Sequence, residues 1–248
     1  GIRKFGSINP IIIGKHGGKN NVDKLLASLK RTELLAKKIE RNRPDLLISF
    51  CSPEASRVAF GLGIPHIAFS DSPHAKAVMK LSLPYVTKLL TPWIIPKKDF
   101  KEFGINSRNI IQYRAIDAGV IIKNYRKTRK SKSNVKKTIL IRPEESEAAY
   151  INKESKTIKI IEKIIEKFPD EKKIVLSRYK EQSNEIKRVF GKDVFIFSKP
   201  VNGKDLLDSV DCFVGSGGTM TAEAGLLGIP TISMNSVPNR IEDFLVKN

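Results

Sequence analysis

The chain has little of the chemistry that most often marks a metal or redox site. Its 248 residues include two cysteines, one tryptophan and three histidines. Cys51 and Cys212 each sit at one end of an apolar run and form no metal-ligand spacing. Both read as small buried residues. His16, His66 and His74 are too few and too scattered for a convincing metal site. No Asp-x-Asp pair is present. No apolar run reaches the roughly 18 residues a membrane-spanning helix needs. The opening Gly1-Ile2-Arg3-Lys4-Phe5-Gly6 lacks the apolar core of a signal peptide, so a cytoplasmic location is expected.

Acidic residues are also in deficit. Forty-five lysines and arginines face 26 acids, a formal charge of +19. Such a balance suits nucleic acid or an anionic membrane surface. Its distribution is informative. Most lysines are dispersed over solvated helix faces, but residues 123–137 hold eight Lys or Arg and no acid. Few aromatics interleave with that run, which weighs against a single-stranded nucleic-acid platform. Charge alone is weak evidence for nucleic acid.

What is present is a regular alternation of short apolar runs and helical patterns. Residues 11–13 read as a strand and 22–40 as a helix, with apolar Leu25, Leu26, Leu29, Leu34, Leu35 and Ile39. A strand follows at 46–50 and a helix from Pro53 to Gly63. Residues 67–69 form the next strand and 75–81 the next helix, with further strands at 86–90 and 110–111. The second half repeats the scheme. Strands at 138–141, 174–176, 194–196 and 212–214 alternate with helices at 157–168 and 181–190 and a short one around Leu206-Leu207. This order predicts an α/β protein with parallel sheets covered on both faces. The basic stretch has almost nothing to bury and reads as a linker. The expected organisation is an N-terminal Rossmann-like domain over 1–123, a linker over 124–136 and a C-terminal Rossmann-like domain over 137–248. An internal echo supports it. Ser52-Pro53-Glu54-Ala55 leads to Leu62-Gly63-Ile64-Pro65, as Ser216-Gly217-Gly218-Thr219 leads to Leu227-Gly228-Ile229-Pro230. Two similar units facing each other across a cleft is the simplest architecture.

The stretch Gly215-Ser216-Gly217-Gly218-Thr219-Met220-Thr221-Ala222-Glu223 carries the most chemistry. Glycines at the carboxyl end of a parallel strand let the backbone turn tightly and approach a ligand. The helix that follows presents unpaired N–H groups and its positive end, a site for phosphate. Ser216, Gly217, Gly218 and Thr219 are therefore candidates for holding a diphosphate. Glu223 lies four residues past Thr219, one turn deeper on the same helical face. A carboxylate repels phosphate but accepts hydrogen bonds from vicinal hydroxyls such as those of a ribose. The ordinary alternative is a tight turn followed by an exposed glutamate.

These residues, with Leu227-Gly228-Ile229-Pro230, are similar to the donor-site motif of GT-B glycosyltransferases. The closest parallels are the peptidoglycan N-acetylglucosaminyltransferase and the non-hydrolysing UDP-N-acetylglucosamine 2-epimerase. Along its length the chain resembles an uncharacterised, largely archaeal family of predicted glycosyltransferases, known as a domain of unknown function. Ile13-Gly14-Lys15-His16-Gly17-Gly18, residues 52–65, Asp71-Ser72-Pro73-His74-Ala75 and Arg142-Pro143-Glu144 carry that likeness together with the glycine stretch. The resemblance implies a GT-B-like fold. It implies that the glycine turn meets a UDP diphosphate and that Glu223 meets the ribose. It also implies an N-terminal domain incomplete at its start. Proteins of the family begin with a strand, a loop, a helix and a second strand ahead of the Gly-Lys-His-Gly-Gly region, and continue past the position of Asn248.

The remaining polar candidates take roles from their places in the pattern. Arg142 ends the first strand of the second half, where a guanidinium can pair with phosphate, the alternative being a salt bridge to Glu144 and Glu145. His16 and His74 stand in loops after strands as candidate general bases, with Asp71 to orient or replace them. Ser52 and Glu54 mirror Ser216 and Glu223 and are the acceptor-side candidates, while His66 reads as structural. The function expected is metal-independent transfer of a sugar from a nucleotide donor, UDP-linked, to an unknown acceptor, for which a lipid-linked or glycan molecule is the candidate. In that case the basic run would dock on anionic lipid. The alternatives are a UDP-N-acetylhexosamine 2-epimerase of the same fold, and a non-catalytic nucleotide-sugar or nucleic-acid binding module.

Overall fold

A computed structural model describes residues 10–18, 20–122, 136–144, 154–197, 201–235, 237 and 239–247. The chain divides into two compact units. One comprises Ile8–Asp117 with Asn239–Ile241, the other Ala118–Pro238 with Glu242–Asn248. The basic run 123–135 lies outside the described residues.

The N-terminal unit opens with helix α1 (Asn21–Arg41). Asn20 starts it, its side-chain oxygen accepting from the backbone N–H of Val22 at 2.8 Å and of Asp23 at 3.3 Å. Strand β1 (Leu47–Ser49), helix α2 (Pro53–Leu62), strand β2 (His66–Phe69) and helix α3 (Lys76–Ser82) follow. Strand β3 (Lys88–Pro92), the short helix α4 (Lys98–Lys101) and strand β4 (Ile110–Tyr113) complete the series. Proline at the first turn and Gly63 in the left-handed region bound α2 as the sequence dictates. The four strands are parallel, in the order β1-β2-β3-β4. Met79, Leu83, Leu89, Ile95, Phe100 and Ile110 fill the core against them.

Two details depart from expectation. Residues 11–13 form no strand, and Ile11 and Ile12 are 66% and 70% exposed. Three apolar residues ahead of a glycine carry no period of their own, so nothing local separates a strand from a loop there. Helix α1 does form where its pattern places it, yet Leu25, Leu26 and Leu29 stay exposed. Leu34, Leu35 and Ile39 are half-buried, and the polar Ser28 and Arg31 reach Glu54 from the same helix.

The C-terminal unit begins with strand β5 (Thr138–Arg142), helix α5 (Glu154–Lys167), strand β6 (Lys172–Val175), helix α6 (Lys180–Phe190) and strand β7 (Phe195–Ile196). Helix α7 (Gly203–Asp208), strand β8 (Cys212–Gly215), helix α8 (Thr219–Leu226), strand β9 (Thr231–Ser233) and helix α9 (Arg240–Lys247), whose first two residues group with the N-terminal unit, follow. Its five strands are parallel, ordered β7-β6-β5-β8-β9. Alternate residues of β5 serve opposite faces, as a period of two requires. Ile139 and Ile141 pack with Ile161, Ile186 and Phe190 of α5 and α6. Leu140 packs on the other side with Leu206, Leu207, Ala224 and Leu227 of α7 and α8. Both faces of this sheet therefore carry helices, which explains why its strands read as continuous apolar runs.

The strand order locates the place where ligands gather in such sheets. The chain runs from β5 through β6 to β7 in one direction, then resumes at β8 on the other side of β5. The order reverses between β5 and β8, a topological switch point. Ligands bind outside the carboxyl ends of the strands at such a point. Arg142 and Gly215 are the last register partners across it.

Candidate functional site

At the switch point the glycine stretch folds as its residue types demand. Gly215 ends β8, and a methyl group there would run into Thr221 Oγ1 and the Phe213 ring. Gly217 and Gly218 hold φ of +85° and +79°, where residues with a Cβ are strained. A Cβ on Gly217 would lie 2.7 Å from both Asn235 Nδ2 and Glu242 Oε1. A Cβ on Gly218 would meet nothing within 4 Å, so the backbone here faces open space.

Gly218 is also the N-terminal cap of α8, and no side chain among the described residues caps that helix end. The first N–H groups of the helix therefore emerge at an open glycine turn, beside the half-buried Ser216 and the exposed Thr219. This geometry suits an anion. Beneath it, the buried Thr221 hydroxyl has no partner among the described residues.

Glu223 lies one turn further along α8, half-buried. Burial raises its carboxyl above the ordinary range. No hydrogen bond or ion pair joins that carboxylate to another described residue. A partly desolvated acceptor with open lone pairs is what a vicinal diol would satisfy.

The neighbouring strand adds groups that the sequence pattern did not flag. Ser233, the last residue of β9, donates from Oγ to Glu242 Oε2 at 2.6 Å. Asn235 Nδ2 donates to Glu242 Oε1 at 3.3 Å. Glu242 thus ties the end of β9 beside Gly217. The polar Ser233 and Asn235 at the carboxyl end of β9 are a readable signal for part of this cluster. Glu242 sits on α9, whose Ile241, Phe244 and Leu245 spacing would have been needed to place it.

Arg142 is half-buried at the end of β5. Its Nη1 donates to the carbonyl oxygens of Leu176 at 2.7 Å and Ser177 at 3.1 Å. It therefore clasps the turn after β6. The apolar cavity of this unit, about 560 Å³ and lined by residues including Ile160, Ile164, Val214 and Ile232, lies against the face of the sheet. Its surface is mostly apolar, although Lys137, Lys163, Lys167, Glu171 and Asp211 contribute to its lining, and it does not include the glycine turn.

In the N-terminal unit the sequence candidates also gather at carboxyl strand ends. Ser52 follows β1 and caps α2, its Oγ accepting from Ala55 N at 3.2 Å. Glu54 accepts from Ser28 Oγ at 2.9 Å, Arg31 Nε at 3.0 Å, Arg31 Nη2 at 2.6 Å and Ser52 Oγ at 3.1 Å. Burial pushes this carboxyl up, but backbone, Arg31 and Ser28 hydrogen bonds outweigh it and hold the group below the usual range. Arg31 also donates from Nη1 to Lys15 O at 2.8 Å, which brings the loop carrying His16 beside the start of α2. His16 itself is exposed, its Nδ1 accepting from Gly18 N at 3.1 Å. Asp71 follows β2 and accepts from Ser72 Oγ at 2.7 Å. His74 is exposed in the same loop, ahead of α3. No direct bond links His16, His74 and Asp71 to one another among the described residues.

His66 is fully buried on β2, with Nε2 2.9 Å from Ser49 Oγ. Among the described residues, no cluster of three His, Cys, Asp or Glu could hold a metal ion. No described helix is long and apolar enough to cross a membrane.

With this geometry in hand, comparison with known proteins places the chain. Residues 3–248 match the family described as "Protein of unknown function (DUF354)", and the chain belongs to it. It is 33% identical over 232 residues to an uncharacterised protein of Methanocaldococcus jannaschii, covering 89% of this chain and 66% of that protein. The chain thus spans slightly less than two thirds of that relative. Among solved structures, it is similar to the UDP-GlcNAc 2-epimerase of Neisseria meningitidis bound to UDP-GlcNAc. The TM-score is 0.73 at 15% identity, over 92% of this chain and 68% of that one. It is also similar to a glycotransferase of kitacinnamycin, with a TM-score of 0.54 at 14% identity, over 96% and 71%. The fold is α/β with parallel sheets, similar to that of GT-B epimerases and glycosyltransferases.

Proposed function

We propose that this member of the family binds a nucleotide sugar, UDP-linked, at the carboxyl edge of its C-terminal sheet, and that the protein transfers the sugar to an acceptor. The observation that carries this reading is the arrangement along α8. An open glycine turn and a helix N-terminus with no side-chain cap among the described residues stand at the switch point, and one turn deeper lies a glutamate whose carboxylate has no partner among them. The N–H groups and the positive helix end suit the diphosphate, and Glu223 suits the ribose hydroxyls. Two subsites of opposite preference, one turn apart, fit a nucleoside diphosphate better than either half alone.

In this reading the departing diphosphate is stabilised by the α8 terminus and by arginine, with no metal assigned. The acceptor hydroxyl is deprotonated by a base in the N-terminal unit, His16, His74 or Asp71. All three are solvent-accessible and stand in loops, two of them beside the end of β2. Ser52 and Glu54 shape the start of α2 for the acceptor side. A lipid-linked or glycan acceptor is assigned, with the basic run 123–137 docking on anionic lipid. The second reading is a UDP-N-acetylhexosamine 2-epimerase, favoured by the similarity to an epimerase bound to UDP-GlcNAc.

The test separates the two. The protein is incubated with UDP-N-acetylglucosamine in deuterated water, with and without candidate acceptors. Acceptor-dependent UDP release with no deuterium in the sugar supports transfer. Deuterium at the sugar C2 without acceptor supports the epimerase. Neither outcome, together with no nucleotide binding, refutes both.

A further inference from the structure

Arg142 was the cation expected to meet phosphate, but the fold engages it with the next turn. Its Nη1 holds the carbonyls of Leu176 and Ser177, directly after β6. The residue that follows them is Arg178.

The turn bearing Arg178 is fixed from several sides. Leu176 N donates to Ile141 O at 2.9 Å, which ties it to β5. The hydroxyls of Ser177 and Ser183 are hydrogen-bonded. Arg178 N donates to Gln182 Oε1 at 2.9 Å. Gln182 is buried, and its Nε2 donates in turn to Glu144 O at 3.0 Å, on the segment after β5. A surface loop seldom needs so many constraints. Yet the Arg178 side chain is exposed, and its guanidinium has no hydrogen-bond or ion-pair partner among the described residues. The backbone is held while the charge is left open.

Its position matches that of an anion at the switch point. Strand β5 alone separates β6 from β8. Two strand spacings amount to about 10 Å. An extended arginine side chain and one phosphate group are together long enough to span such a gap. A guanidinium on one side and helix N–H groups on the other would hold a diphosphate from both flanks.

We propose that Arg178 is the cation that contacts the anionic part of the nucleotide sugar, and that Arg142 is a positioning residue that holds the Arg178 turn in place. This rests on the nucleotide reading above.

The test measures UDP binding by calorimetry and uridine binding by ligand-observed NMR on the full 248-residue chain. The variants are Arg178→Ala, Arg178→Lys and Arg142→Lys, with a thermal melt of each. Loss of a charge-assisted contact should weaken UDP binding about 10- to 100-fold in Arg178→Ala. Uridine affinity and melting temperature should stay unchanged, and Arg178→Lys should recover part of the loss. Arg142→Lys keeps the charge but loses the two-carbonyl clasp, so UDP affinity should fall while uridine affinity holds. A merely structural role would lower both ligands together. Wild-type UDP affinity in Arg178→Ala overturns the proposal while the nucleotide reading stands. Equal loss of UDP and uridine in Arg142→Lys overturns the positioning role. Absence of both UDP and uridine binding in the unmodified chain refutes the nucleotide reading itself, and this proposal with it.

Discussion

Replacing Glu54 with alanine should unfold the N-terminal unit more easily without touching the nucleotide subsite. The carboxylate receives four hydrogen bonds, two of them from Arg31. The ion pair is partly shielded, with side-chain exposures of 13% for Glu54 and 32% for Arg31. A fully exposed pair contributes about 0–1 kcal/mol, and breaking a fully buried one costs about 3–5 kcal/mol. This pair lies between, so Glu54→Ala should cost about 2 kcal/mol. In a unit of this size that corresponds to a fall of roughly 5–10 °C in its melting transition. Arg31→Ala should cost a similar amount, because it also releases the Lys15 carbonyl. In a double-mutant cycle followed by urea unfolding, the two should couple by about 1–2 kcal/mol. The pH dependence has a definite sign. The folded carboxyl titrates below its ordinary 4.5, so its contribution is complete above that value and is lost as pH falls through the folded pKa. A coupling below about 0.5 kcal/mol, within the scatter for independent sites, would refute the clamp.

Further outcomes follow from the same geometry. Gly217→Ala adds a strained φ and a clash with the Glu242–Asn235 pair, so it should cost about 2–3 kcal/mol. Urea unfolding checks this, and wild-type stability would count against the geometry of the turn. His66 is buried with Nδ1 lacking a partner among the described residues, and burial lowers its pKa below 6.5. The unfolded chain then binds the extra proton first. Stability should hold above pH 6.5 and decline as pH falls below it, a slope that His66→Gln should flatten in melts across pH 4–7.

The fold was more legible than the site. Alternating apolar runs were enough to set the parallel strands, because β5 and β8 are buried on both faces and leave an unbroken hydrophobic signature. The run at 11–13 is also apolar and pairs with no strand among the described residues. A three-residue stretch carries no information about its partner. The donor candidates Ser216 to Glu223 were readable because glycine turn, helix start and acid occur within nine residues of chain. The chemistry around them was not. Glu242 reaches Gly217 from a helix some 25 residues on, and only tertiary structure joins them. Arg142 shows the converse. Its strand-end position was visible, but its hydrogen bonds to the carbonyls of the β6 turn depend on which strands are neighbours. Glu54 likewise echoes Glu223 in sequence, while Arg31, 23 residues earlier, gives it a different local environment.

The most direct measurement is calorimetric titration of UDP, UDP-N-acetylglucosamine and GDP against this chain and against Glu223→Ala. Burial already disfavours the Glu223 carboxylate, so its removal should leave the melting temperature level or slightly raised. The account predicts that the chain binds the uridine ligands in preference to GDP and that the variant loses most of that affinity. Uridine-ligand binding that is identical in the two proteins would contradict the role given to Glu223, and with it the nucleotide subsite on α8.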